Sequence, residues 1–218
     1  MKGAGPVPGM VSVGIAGGSA AGKSTVVAEL VALLGEERTA VLRHDAYYHD
    51  LSHLPFERRI EVNVDHPDSL ETSLLVEHVR ALGSGRPVEM PDYDFVSQTR
   101  GSRGIVVQPA PVLIVEGLFT LFDERLRQLW DLAVFLETTE SERLDRRILR
   151  DGEERGRDRA AVVAQHEGVV QPMHERFVEP SRAHADVVIR GGGHNREAIA
   201  ELAERVLALM EGGIRPLP

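Results

Sequence analysis

Gly17-Gly18-Ser19-Ala20-Ala21-Gly22-Lys23-Ser24 fits the pattern G-x-x-x-x-G-K-[ST] at every position. Before it, Met10-Val11-Ser12-Val13-Gly14-Ile15-Ala16 reads as an apolar strand. After it, Lys23 to Leu34 reads as a helix with Val27, Leu30, Val31 and Leu34 on one face. A glycine-rich turn between strand and helix lets backbone N–H groups curl round an anion where side chains would collide. The helix N-terminus adds partial positive charge. In such a loop Lys23 reaches the β- and γ-phosphates of a nucleoside triphosphate, and the Ser24 hydroxyl ligates Mg²⁺. Gly17 to Thr25 is therefore the expected nucleotide-binding segment. A turn that merely caps a helix is the bland alternative, disfavoured by motif and context together. The motif does not separate a kinase from a motor, a GTPase switch or a transport ATPase.

Working outward, strands and helices alternate, which predicts an α/β three-layer sandwich with a central parallel sheet. Ala40 to Arg43 is a short strand, and Ser69 to Leu82 a helix with Ser69 as its N-cap. Val112-Leu113-Ile114-Val115 is a continuous apolar run, as expected of a parallel strand covered on both faces. Leu132 to Leu136 is another, followed by a charged helix from Ser141. Ala185 to Ile189 is the last strand, and Asn195 caps a final helix with Ile199, Leu202, Val206 and Leu209 inward. Between 86 and 107 the rhythm breaks. Pro87 to Met90 and Gly104 to Val107 read as short antiparallel strands, a small β insertion. One domain over 1–218 is expected, with flexible ends at 1–9 and 212–218.

Lys plus Arg is 25 against 34 Asp plus Glu, a net charge of −9, which disfavours general nucleic-acid binding. The absence of Cys excludes disulfides, thiolate catalysis and Cys-ligated zinc, and suits a cytoplasmic protein. No apolar run approaches the roughly 20 residues of a membrane span, and residues 1–10 lack the apolar stretch of a signal peptide.

Glu116 directly follows the Val112–Val115 strand, at the mouth of the sheet where ligands bind, and is the expected metal partner of Ser24. A solvent-exposed strand-end Glu is the alternative. Asp45, after the second strand, has the place of a base for an attacking hydroxyl, or equally of a turn cap. Arg143, Arg146, Arg147, Arg150, Arg155, Arg157 and Arg159 crowd one segment, interleaved with Glu142, Asp145, Asp151, Glu153, Glu154 and Asp158. A solvated, charge-alternating helix suits Arg143 and Arg159. The others suit a mobile lid over about 147–165, hinged at Gly152 and Gly156, whose guanidinium groups neutralise a transferring phosphate.

Together with that loop, His44-Asp45-Ala46-Tyr47-Tyr48, Asn63-Val64-Asp65-His66-Pro67-Asp68, Pro91-Asp92-Tyr93-Asp94-Phe95, Arg150-Asp151-Gly152-Glu153-Glu154-Arg155-Gly156-Arg157 and Pro172-Met173-His174-Glu175-Arg176-Phe177 resemble the uridine kinase (uridine–cytidine kinase) family of P-loop kinases, in family order over about residues 11–208. Phosphoribulokinase and pantothenate kinase share the general plan, but the Asp-His-Pro and Pro-Met-His segments are more similar to uridine kinase. The resemblance implies transfer of the γ-phosphate of ATP or GTP, with Mg²⁺, to the 5′-hydroxyl of uridine or cytidine, as a homo-oligomer in pyrimidine salvage. It implies that Asp45 is the base and borders the Mg²⁺ shell. It places Tyr48, Asp65, Tyr93 and Phe95 on the nucleoside, with Asp65 on the ribose 2′- and 3′-hydroxyls. It places Arg150, Arg155 and Arg157 at the triphosphate, and Arg147 and Gln165 near the nucleoside. Core packing is the rival reading of Tyr93 and Phe95. Gln98 stands where many members carry His. An amide offers both a donor and an acceptor, so both pyrimidines are expected substrates. Val64 replaces a common Phe and His166 a usual Tyr. Asn195 and the Gly191–Gly193 turn border the adenine, unless Asn195 only caps its helix. His174 reads better as a packed or surface residue than as an acid–base group. A kinase of another small hydroxyl substrate, or a nucleotide-controlled switch, is the alternative function.

Overall fold

The structure, a computed structural model, describes residues 9–212. The expected flexible ends lie outside the described residues, except Gly9 and Gly212. Five parallel strands form the main sheet in the order β2-β7-β1-β8-β9: β1 Val11–Gly17, β2 Thr39–Arg43, β7 Val112–Glu116, β8 Leu132–Glu137 and β9 Val187–Arg190. Side chains alternate across the pleat, so one strand feeds both layers of core. On β7, Val112 and Ile114 meet the helices Lys23–Leu34 and Arg196–Glu211, through Val27, Leu30, Ile199 and Leu202. Leu113 and Val115 meet the opposite layer, where Leu75, Val76, Val79 and Leu82 of helix Thr72–Gly83 close the core. The apolar run on β7 is thus buried on both faces, as its sequence predicts.

The insertion is two nested hairpins. β3 Val88–Met90 pairs antiparallel with β6 Ile105–Val107, and inside it β4 Tyr93–Asp94 pairs with β5 Thr99–Arg100. The sequence suggested only a polar turn in the inner region. The side chain of Arg100 pins this inner hairpin, donating to the carbonyls of Tyr48 (2.8 Å) and Tyr47 (3.0 Å) and pairing with Glu71 (2.8 Å).

Three local expectations are corrected. Helix Thr72–Gly83 begins three residues after Ser69, whose hydroxyl instead donates to the carbonyls of Val64 and His66. Pro67 opens a separate 3₁₀ turn there. Helix Glu140–Arg155 runs straight through Gly152, held at its start by a capping box of Thr139 and Glu142. The break comes only at Gly156, whose φ of +61° ends the helix. Arg143 is also not solvated: it is 3% exposed and donates to Gln171 Oε1 at 2.8 Å. Beyond helix Arg159–Gln165 the chain continues through two π-helical turns, His166–Val170 and His174–Val178.

Candidate active site

Sheet order assembles the site. β7 lies between β1 and β2, with Glu116 opposite Ile15 on one side and Arg43 on the other. The loop after β1, the turn after β2 and the last residue of β7 therefore meet at one carboxyl edge, where α/β sheets hold ligands. A cleft of about 770 Å³ opens there, within the range of small-molecule sites. Among the residues expected from sequence, Ser19, Ala20, Gly22, Lys23, Ser24, Thr25, Asp45, Tyr48, Asp65, Tyr93, Phe95, Gln98, Glu116, Arg147, Arg150, Arg155, Arg157 and Gln165 all line it. Gly17, Gly18, Ala21 and Asn195 do not.

The donor half is the loop itself. Ala20 (φ +61°) and Gly22 (φ +91°) are left-handed, which turns the backbone inward. Lys23 Nζ donates to the carbonyls of Gly17 and Gly18, both at 3.1 Å. Gly18 is closely packed: a Cβ would lie 2.8 Å from Arg143 Nη1 and 3.0 Å from His174 Nδ1, so these side chains would have to shift. His174 is thus packed behind the loop, its pKa lowered to about 4 by burial and by Arg143 and Lys23. Asn195 is spent as a cap: its Oδ1 accepts from Ala198 N and its Nδ2 donates to the Arg190 carbonyl. The neighbouring Gly192 and Gly193 press against Ala21 and Thr25. That turn braces the loop from outside the cleft.

At the sheet edge Glu116 is 5% exposed. Burial pushes its pKa up to about 6, opposed by Lys23 and reinforced by Asp45. Asp45 Oδ1 is buried with no hydrogen-bond partner. A buried Glu116 beside a half-buried Asp45 with one unmatched oxygen fits a divalent cation, which Asp45, Glu116 and the Ser24 hydroxyl could hold. Among the described residues no three His, Asp or Glu side chains form a metal cage. Such a donor set suits Mg²⁺, which keeps waters and takes further oxygens from phosphate.

His44 beside Asp45 is fully buried against Thr72 Oγ1, at 3.2 Å. Burial lowers its pKa to about 4, against the opposing pull of Asp45 and Asp123. The unfolded chain then binds more protons between pH 4 and about 6.5, so stability rises with pH across that window. We expect the unfolding free energy, from urea melts, to fall by roughly 3 kcal/mol as pH drops from 6.5 to 4 through His44 alone. A His44→Gln variant should show a visibly shallower slope; an unchanged slope contradicts the assignment.

The acceptor half is aromatic and underbonded. Tyr48, Tyr93 and Phe95 form a cluster with ring centroids 5.1, 5.2 and 6.0 Å apart. Tyr93 Oη and Gln98 Oε1 are buried without partners. Gln98 has φ +55°, an uncommon backbone state for a side chain this large. Asp65 is 7% exposed, with its pKa raised by burial and by Asp45 while Arg147 opposes. The rings of Tyr93 and Phe95 pack in one cluster with Tyr48 and also line the cleft.

Between the halves stands the arginine cluster. Arg147, 4% exposed, donates to Ser19 Oγ (2.9 Å) and Gln165 Oε1 (3.0 Å). Arg157 reaches the same Gln165 oxygen at 2.7 Å. Arg155 lies 4.8 Å over the Phe95 ring, against the acceptor-side wall. Sequence reasoning missed Asp151, taken as an interleaved surface charge. It is 0% exposed, and Arg147, Arg150, Arg155 and Arg157 all approach it within 2.8–3.6 Å. Its i±4 spacing to Arg147 and Arg155 was the available signal.

A glycine-rich anion loop, a carboxylate pair at the sheet edge, an acceptor pocket and a roof of arginines define a P-loop kinase. The chain belongs to the phosphoribulokinase / uridine kinase family, whose sequence profile matches residues 12–198. The uridine kinase of Geobacillus sp. (strain WCH70) is 43% identical over 201 residues, covering 92% of this chain and 95% of that protein. That of Streptococcus gordonii is 41% identical, covering 92% and 96%. The fold is also that of phosphoribulokinase from Rhodobacter spheroides, at TM-score 0.61 and 13% identity, over 84% of this chain and 70% of that one.

Proposed function

We propose that this protein transfers the γ-phosphate of ATP to the 5′-hydroxyl of uridine or cytidine, giving UMP or CMP. Relatives that bear the name uridine kinase, at 41–43% identity over 92% of the chain, support the reading. The structural observation behind it is the set of unpartnered buried atoms, Asp45 Oδ1, Tyr93 Oη and Gln98 Oε1, in one aromatic-walled cleft. Buried polar groups cost free energy until paired, and a pyrimidine nucleoside supplies polar edges and a flat face in the same molecule.

In this mechanism Asp65 accepts hydrogen bonds from the ribose diol, Gln98 meets the pyrimidine edge, and Asp45 removes the proton of the 5′-hydroxyl as its oxygen attacks the γ-phosphorus in line. Lys23 and the arginines neutralise the developing charge on the phosphate oxygens. Ser24, Asp45 and Glu116 would hold Mg²⁺, whose charge would help neutralise the phosphates. A sugar-phosphate acceptor would need cations free to meet its phosphate, whereas the acceptor half holds Asp45, Asp65, Asp92 and Asp94, and the arginine at its wall, Arg155, is engaged by the Phe95 ring and Asp151. The nearby Arg100 is committed to carbonyls and Glu71. GTP as an alternative donor, a cytoplasmic place in pyrimidine salvage and homo-oligomeric assembly complete the reading. Among the described residues no helix is long and apolar enough to cross a membrane.

A coupled ADP assay over a panel of acceptors tests this. Uridine and cytidine should both be phosphorylated, with kcat/KM values differing by less than roughly a thousandfold, because one amide serves either exocyclic group. Deoxyuridine should be slower by about a hundredfold, since Asp65 then keeps an unpaired oxygen. Nucleotide turnover independent of any nucleoside would overturn the proposal.

A further inference from the structure

We propose that Asp151 is a positioning residue for phosphoryl transfer: its buried carboxylate gathers Arg147, Arg150, Arg155 and Arg157 into one array that fits the transferring phosphate. The proposal rests on the reading above that the donor phosphates enter this cleft.

The geometry separates this role from that of an ordinary helix ion pair. Only Arg150 makes directional hydrogen bonds to the carboxylate, with Nε and Nη2 at 2.9 and 2.8 Å from Oδ1. Arg155 Nη1 is 3.4 Å from Oδ1, while Arg147 Nε and Arg157 Nη1 are 3.6 Å from Oδ2. These three are held mainly by charge, and Asp151 Oδ2 has no hydrogen-bond partner. Their N–H donors are therefore not consumed by the anion that assembles them. Local backbone structure brings the fourth arginine in. Gly156, in its left-handed conformation, turns the chain back so that Arg157 N donates to the Asp151 carbonyl at 3.0 Å. Four guanidinium groups this close would otherwise repel one another and spread. The carboxylate is 0% exposed and the four arginine side chains are 5–30% exposed, so solvent screens the repulsion and its relief only in part. The arginines in turn hold the Asp151 pKa down, outweighing the opposing effect of burial. Arg150, Arg155 and Arg157 line the cleft, whereas Asp151 does not. Asp151 thus acts through the arginines and not on the substrate.

Electrostatic catalysis depends on groups already aimed at the transition state, not only on the presence of charge. Removing Asp151 should leave the charge and lose the aim. In the full-length protein, Asp151→Asn should lower kcat with ATP and uridine by about 10- to 100-fold, the usual cost of loosened active-site geometry. The Kd for uridine alone should stay within about threefold of wild type. The Kd for an ATP analogue should be unchanged or tighter, with a steeper salt dependence, because an anion that competed with the triphosphate is gone. Asp151→Glu should recover part of kcat. A purely structural ion pair predicts the opposite: kcat, both affinities and the melting temperature decline together, and that result overturns the proposal. So does a kcat within about twofold of wild type. If the wild-type protein does not phosphorylate uridine, the acceptor assignment fails, but Asp151 is still judged by ATP-analogue binding. Weaker binding in Asp151→Asn, or an unaltered salt dependence, then rejects the role.

Discussion

Asp45→Asn is expected to lower kcat for uridine by roughly three orders of magnitude while the Kd for uridine changes by no more than about threefold. Asparagine has the same shape and can still meet a 5′-hydroxyl, but it cannot take the proton. It also removes one of the two carboxylates that fit a cation, so the rate should fall further at limiting Mg²⁺. The structure makes the substitution informative because Asp45 Oδ1 has no protein partner to lose. Its removal therefore leaves little structural damage to confuse with a catalytic effect. Steady-state rates, with uridine binding measured calorimetrically, decide the matter. A kcat within tenfold of wild type would remove Asp45 from the role of base.

Lys23→Met should have a comparable effect by a different route: a loss in kcat/KM for ATP on the order of a thousandfold. Its effect on stability should be small. Lys23 is 8% exposed, and its ammonium group bonds to the Gly17 and Gly18 carbonyls at 3.1 Å. Methionine fills the same volume but leaves those carbonyls without a donor, at a cost of about 1 kcal/mol. The large ratio between the catalytic and folding effects is the diagnostic. If thermal unfolding shows a collapse that matches the lost activity, the lysine is chiefly a structural clamp. A wild-type-like affinity for ATP with normal turnover would remove it from the phosphate site.

Much of the molecule was legible from local pattern. The helix Lys23–Leu34 has the expected boundaries, and Asn195 caps its helix because a side chain reaches a backbone N–H three residues on. The β7 run reads as doubly covered because nothing along it is polar before Glu116. Expectations failed where local preference and tertiary packing diverged. Ser69 has the composition of an N-cap, but the 3₁₀ turn opened by Pro67 takes its hydroxyl. Gly152 has the flexibility of a hinge, but its helix continues to Arg155. Arg143 and Asp151 look like surface charges in a run of alternating sign, and both are buried.

From the chain alone, then, follow the phosphate-binding loop and the α/β class, each of which depends on backbone conformation or side-chain chemistry within a few residues. The acceptor-side residues of the cleft are named through the resemblance to the uridine kinase family, since no local pattern marks them. Strand order and the packing of the helix Glu140–Arg155 required the folded structure. They decide that Glu116 and Asp45 share one edge, that Tyr93 and Gln98 face the cleft underbonded, and that four arginines converge on Asp151. The physical reason is that a charge in water and the same charge out of water have different energies and partners. Which of the two a residue experiences is set by segments far away in sequence.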